Sequence, residues 1–367
     1  RSVLDTPFLN IHSLEAASSF LKTYGFNSDD TDEANKLWQC HRRSLVLMTE
    51  KLKFKLEEIP LLLTDRKHLE DLRWLLLLAS SKDNQNLSAP LQIFLTEKKA
   101  LVLGHSIGDL QKWSCAFLRS MHVFIHAESD LFSFFSEEIQ KQILSGFQEI
   151  IYHDGTQDRI FLKNFQWAED LIPLVKFEVK PFKTSSSTVI KLLAKRNALA
   201  MNVFDKVGVR FITKNIYDSF RVLQTLVDQN VISFPHIMPD QSSNNIYPVD
   251  LFVKIYEEHK GQRIALNDFE HHLQTQLANL ENAQFIRKEN HFSSGDYKFI
   301  KFITRKLIRI KPDQAQQVFS FFYPFEVQIL DEAACQSILS GPSEHEAYKE
   351  RQRRAARSRL FSESPTE

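Results

Sequence analysis

Lys183–Thr213 reads KTSSSTVIKLLAKRNALAMNVFDKVGVRFIT, and its reading decides the fold. It opens on the hydroxyls of Ser185, Ser186 and Ser187, side chains suited to accept backbone N–H groups at a helix start. The helical part carries Val189, Ile190, Leu192, Leu193 and Leu199, with Lys191, Lys195 and Arg196 between them. The period then changes. Val207, Val209 and Phe211 alternate with Lys206, Gly208 and Arg210, which is strand spacing. Asp205 sits at the junction. A hydroxyl-rich helix start, a basic helix and an acid at the mouth of a strand together suit phosphate and metal.

The rest of the chain is consistent with a folded, largely helical protein. Of 367 residues, 43% are hydrophobic and 25% charged, so a sizeable core can form and disorder is not expected. The formal net charge of +0 argues against a chain driven onto nucleic acid or membrane by overall charge. Only 9 glycines stand against 30 phenylalanines, so a phosphate site here has to rest on side chains and helix starts. Cys40, Cys115 and Cys335 are too scattered for a disulfide framework or a zinc site. The run Leu72–Ala79 is short and contains Arg73, unlike a membrane span. The expectation is a soluble cytoplasmic protein.

Residues 1–155 read as a helical domain, with Ser13 capping a helix that stops at Gly25 and others after Asp29–Glu33, after Thr64 or Asp65, and over Ile107–His126 and Glu137–Tyr152. His122 and His126 share a helix face at i, i+4, but Val123 stands where a zinc-protease motif needs glutamate. Core histidines are the preferred reading. Residues 156–340 read as an α+β domain with a mixed sheet. Strands are expected at RIFLK and LIPLVKFEVKPF, Val207–Thr213, Tyr297–Ile310 and Val318–Ile329, and a helix at Ile216–Asp228. Between about 215 and 291 a helical insertion is expected, with a proline-marked loop (Pro235, Pro239, Pro248) and surface helices at Phe252–Glu258 and Ile264–Leu280. Residues 341–367 form a basic helix and tail.

In Tyr323–Asp331, YPFEVQILD, Phe325, Val327 and Ile329 alternate with Glu326 and Gln328. A carboxylate in mid-strand needs solvent, a partner or an ion. Two carboxylates such as Asp205 and Glu326 on neighbouring strands can hold Mg²⁺ and leave positions for phosphate and water.

This order of residues resembles the synthetase domain of the RelA/SpoT family of (p)ppGpp enzymes, in the nucleotidyltransferase superfamily. The family's Lys-x-x-x-Ser helix start and following Lys match Lys183, Ser187 and Lys191. Its Asp-Leu-x-Gly-Ile-Arg strand matches Asp205-Lys206-Val207-Gly208-Val209-Arg210, and its Glu-Val-Gln-Ile strand matches Glu326-Val327-Gln328-Ile329. The resemblance implies that Asp205 and Glu326 are the catalytic and metal-binding pair. It implies that Lys183, Ser187 and Lys191 hold donor phosphates, with Arg210 and Gln328 beside them. The Gly-Tyr-x-Ser-Leu-His segment that stacks the acceptor is poorly kept. Its better match is Asp296–Lys301, with Tyr297 as the aromatic and Lys301 replacing His, and Asn245-Ile246-Tyr247 is a second candidate. The family's Arg before the first Lys is missing, with Lys180 nearby as a substitute. The overall arrangement also resembles an uncharacterised bacterial family of RelA/SpoT-like proteins with a helical front half and the segment LLAKR.

The implied activity is Mg²⁺-dependent transfer of pyrophosphate from ATP to a ribose 3′-hydroxyl of GDP or GTP. Two alternatives stay open: transfer to a tRNA 3′ end, motivated by the basic tail, and a nucleotide-binding regulatory module that has lost the reaction.

Overall fold

The computed structural model describes residues 9–81, 87–128, 131–156, 158–163, 171–180, 185–194, 204–259, 266–278, 285, 298–311, 318–340 and 345–361. The chain is α+β, as the sequence pattern predicts, and it forms two compact units. One takes Arg1–Asp130, Thr184–Val203 and Lys349–Glu367, and the other takes Leu131–Lys183 and Phe204–Tyr348. The sequence reading set its boundaries near 155 and 340. In the structure the helix Leu131–Ile150 groups with the sheet, and two later segments group with the front half.

The first unit is helical: α1 (Leu14–Tyr24), α2 (Thr31–Val46), α3 (Arg66–Leu69), α4 (Arg73–Ala79), α5 (Ala89–Glu97) and α6 (Ile107–Glu128). Ser13 caps α1 by accepting from the Ala16 N–H, and Gly25 ends it at φ 104°, a left-handed conformation that a side chain disfavours. Asp30 caps α2 through the N–H groups of Asp32 and Glu33. The helix expected from Asp65 through Leu78 is broken in two. Asp65 caps α3, Glu70 takes a positive φ of 63°, and Asp71 then receives the Arg73 N–H to start the next piece. The greasy run becomes α4, with Leu75–Ala79 buried at the centre of the unit's core.

The second unit begins with α7 (Leu131–Ile150), followed by β1 (Ile151–Asp154), β2 (Arg159–Lys163) and β3 (Leu171–Val179). Next comes α8 (Ser185–Ala194), which belongs to the first unit, where Val189, Leu192 and Leu193 join the helical core. The sheet unit resumes with β4 (Gly208–Thr213), α9 (Ile216–Asp228), β5 (Met238–Asn244), α10 (Val249–His259), α11 (Leu266–Ala278), β6 (Ile300–Ile310), β7 (Phe319–Asp331) and α12 (Glu332–Ser340). The last helix, α13 (His345–Leu360), packs Ala356 and Leu360 into the helical core.

The seven-stranded sheet runs β1-β2-β3-β4-β7-β6-β5. The β4–β7 pair is parallel and every other pair antiparallel. Three expectations need correction. The predicted helix to Tyr152 stops at Ile150, where the β-branched pair Ile150–Ile151 turns into β1. The proline-marked loop contains β5, and Pro239 is tolerated because β5 is an edge strand. The supposed surface helices α10 and α11 bury Phe252, Ile255, Phe269 and Leu273 in the core of the sheet unit. No helix among the described residues is long and apolar enough to cross a membrane.

Candidate functional site

Paired residues of neighbouring strands share a face. The register therefore lays Glu178 of β3, Arg210 of β4, Gln328 of β7 and Lys301 of β6 in one row across the middle of the sheet. The next row holds Gly208 and Glu326, with Ile303 beyond. The residues between, Val209, Phe211, Phe325, Val327 and Phe302, face the other way into a core that α7 closes with Phe147. Alternation has sorted the strands into one polar and one apolar face.

The polar rows are tied together. Arg210 donates through Nε to Gln328 Oε1 at 3.1 Å and through Nη1 to Glu178 Oε2 at 3.3 Å. Lys176 holds the other oxygen of Glu178 at 2.7 Å. Burial pushes the Glu178 carboxyl up, but Lys176 and Arg210 outweigh it and hold the group below the usual carboxylate range.

Glu326 is the centre of the arrangement. It is only 6% exposed, its Oε1 is in an ion pair with Lys180, and Lys301 Nζ lies 3.9 Å from its Oε2. Burial pushes this carboxyl up as well. The positive charges of Lys180 and Lys301 outweigh burial, with Asp205 acting against them, and the group stays below its ordinary range. Gly208 lets Lys180 reach across: a Cβ there would lie 3.1 Å from Lys180 Cδ and 3.3 Å from the Glu326 carbonyl oxygen. The Lys180 N–H donates to the Gly208 carbonyl, and the Glu326 N–H to that of Val207, so the backbone on both sides is fixed. Asp205 lies two residues before Val207, half-buried, close enough for its charge to be felt at Glu326.

Of the residues singled out from sequence, Asp205, Arg210, Lys301, Glu326 and Gln328 thus gather on one unit. Lys180, read as a substitute for a missing arginine, is the direct partner of Glu326. Ser187 is exposed and Lys191 half-buried on α8, in the helical unit. Lys183 and Tyr297 lie outside the described residues. The second acceptor candidate is not a stacking platform: Tyr247 is fully buried and its hydroxyl donates to the Leu273 carbonyl at 2.8 Å. Lys176 and Glu178 were missed, although the alternation Lys176, Glu178, Lys180 in the run before the motif carries the signal.

The histidine pair packs inside the helical unit. The Tyr24 hydroxyl and His122 Nδ1 share a hydrogen bond of 2.5 Å, and the His122 and His126 rings meet edge to face at 4.4 Å. Burial, with His126 adding, pushes the His122 imidazole down to about 4, so it is neutral near pH 7. Two half-buried arginines of α13, and Arg119 of α6, also serve backbone carbonyls. Arg357 donates to the carbonyls of Leu52 and Lys53, Arg359 to those of Leu192 and Leu193, and Arg119 to that of Leu360.

No protein-family model and no curated protein sequence matches the chain. Among solved structures, small alarmone synthetase 1 from Bacillus subtilis overlaps with it at a TM-score of 0.30 and 11% identity, covering 62% of this chain and 88% of that one. An overlap this loose transfers neither fold nor activity.

Proposed function

We propose that the chain is a Mg²⁺-dependent pyrophosphotransferase that moves the β,γ-pyrophosphate of ATP to the ribose 3′-hydroxyl of GDP or GTP. The observation that carries this reading is Glu326: a buried, ionised carboxylate set among Lys180, Lys301 and Asp205 on the polar face of the sheet. The motif order around Lys183–Thr213 and Tyr323–Asp331 supports the same assignment.

Asp205 and Glu326 offer hard carboxylate oxygens, the protein share that Mg²⁺ takes when phosphates and water complete its shell, so these residues fit the ion and would hold it. The ion would neutralise negative charge on the donor phosphates. Lys301 and Lys180 add positive charge beside them. Glu326, held ionised near neutral pH, accepts the proton of the acceptor 3′-hydroxyl. The new bond joins the 3′-oxygen to the β-phosphorus, the bond from that phosphorus to the bridging oxygen breaks, and AMP leaves.

One observation favours a second reading. Lys180 already neutralises Glu326, as it would in a nucleotide-binding module without turnover. The discriminating assay offers ATP labelled on its γ-phosphate, Mg²⁺, and GDP, GTP or total tRNA, with Glu326→Gln as control. Label on GDP or GTP, absent with the variant, supports the transferase, and label on tRNA would move the acceptor to RNA. ATP binding by calorimetry with no label on any acceptor supports the module.

A further inference from the structure

The opposite side of the sheet carries a second feature. Lys301 shares the face of Glu326, so Lys306, five residues on, points to the other face, where α7 lies. Gln142 pins α7 to β6 by donating to the Arg309 carbonyl at 2.7 Å and accepting the Arg309 N–H at 3.0 Å. Between them opens a cavity of about 340 Å³, the lower end of the range for small-molecule sites. Gly146 presents no side chain there, and a Cβ on it would sit 3.5 Å from Lys306 Nζ. The rim is fixed. Asn230 takes the left-handed conformation at φ 56° and donates its N–H to the Val227 carbonyl, while Ile232 donates to that of Leu226.

Two opposite charges border this space without pairing. Lys306 is half-buried, and burial pushes its ammonium down while Glu149 pulls it up. Among the described residues no ion pair within 4.0 Å joins the two. Ser145, Gln229 and Asn230 complete a mostly polar lining, with Ile150 and Val231 behind it. A simple anion drawn to Lys306 would meet the repulsion of Glu149, and a simple cation the reverse. A molecule bearing both charges satisfies each group.

We propose that this cavity binds a small zwitterion of the α-amino-acid class, its carboxylate on Lys306 and its ammonium on Glu149. The test is calorimetric titration of the full chain with L-leucine, L-valine and L-alanine. N-acetyl-L-leucine (carboxylate only), L-leucinamide (ammonium only) and inorganic phosphate serve as comparators. At least one amino acid binds saturably, and each one-charge analogue of leucine binds about tenfold or more weaker than leucine. Lys306→Met abolishes binding. Glu149→Gln, at an exposed position that leaves folding intact, weakens leucine but spares N-acetyl-L-leucine. The proposal is overturned if none of the three amino acids binds, if phosphate or N-acetyl-L-leucine binds as tightly as leucine, or if Glu149→Gln changes nothing.

Discussion

Cations gather in two places in this molecule, and they are used in opposite ways. On α13 the inner arginines serve the backbone: Arg357 and Arg359 donate to carbonyls of Leu52, Lys53, Leu192 and Leu193, and Arg357 also lies 3.9 Å over the Phe54 ring. On the sheet, Lys176, Lys180, Arg210 and Lys301 meet carboxylates and an amide on neighbouring strands. The periodicities account for the contrast. A helix turns successive side chains to different neighbours, so its cations reach separate carbonyls. A strand returns every second side chain to the same face, so its cations accumulate over one surface. Clustered arginines in a sequence therefore do not by themselves make an exposed basic patch.

The comparison breaks most sharply at Glu326. Under the transferase reading Glu326→Gln lowers pyrophosphate transfer by at least about 10²-fold, measured by label on the acceptor. It also removes the carboxylate that Lys180 and Lys301 share, so the melting temperature falls. Asp205→Asn lowers transfer similarly while leaving the melting temperature near wild type. An inactive Asp205→Asn that also unfolds would make Asp205 a structural residue. On the other side, Leu360→Ala empties a fully buried position in the helical core and costs about 2–5 kcal/mol. Chemical denaturation reads that loss, and an unchanged midpoint would mean that α13 is not docked as described.

Acid separates the units next. His41 is buried against Phe117, rings stacked at 4.6 Å, and burial pushes its imidazole down to about 4 despite the Leu63 carbonyl. Its folded value lies below the unfolded one, so the unfolded chain binds the proton first. His41 alone then costs the helical unit up to about 3 kcal/mol as pH falls from about 6.5 toward 4, and His122 adds to the loss in the same window. Glu178 is also lowered, from the ordinary glutamate value of 4.5. Its contribution is complete above that value and is lost only as pH falls below it. Protection factors of amides in α4 and α6, taken relative to intrinsic exchange at each pH, should therefore fall at a higher pH than those in β3 and β4. The reverse order would overturn the contrast.

Much of this was legible where local chemistry and tertiary demand coincide. Ser13 with Gly25, the alternation of β4 and β7, and the span Ile216–Asp228 all followed from caps and periods. The helix expected through Leu69–Leu78 failed because apolar residues fill both helical pieces and hide the break at Glu70, where Asp71 restarts the chain. The edge strand with Pro239 was hidden because proline reads as a loop until the strand is known to lie at an edge. In the site, Glu326 and Arg210 were visible as polar residues alternating with buried ones. Their partners Lys180 and Glu178 were not assigned as such, since which cation meets which carboxylate depends on strand order and register. Those are long-range facts with no local mark.

The smallest effects test the use of the arginines on α13 itself. Arg359 supplies bonds of 3.2 and 3.3 Å to carbonyls at the end of α8, and a charged donor to a buried acceptor is worth about 1.5–3 kcal/mol. Arg354 is four-fifths exposed and its contact is a 3.5 Å pair with Glu350 one helical turn away. Such a pair is worth about 0.5 kcal/mol or less. Arg359→Met should thus lower the denaturation midpoint clearly, whereas Arg354→Gln should leave it almost unmoved. In tRNA filter binding the two variants should behave alike. If Arg354→Gln instead weakens tRNA binding and flattens its salt dependence while stability holds, the outer face of α13 is a phosphate-contacting surface. The division of labour would then run within the helix, inner arginines serving the fold and outer ones a ligand.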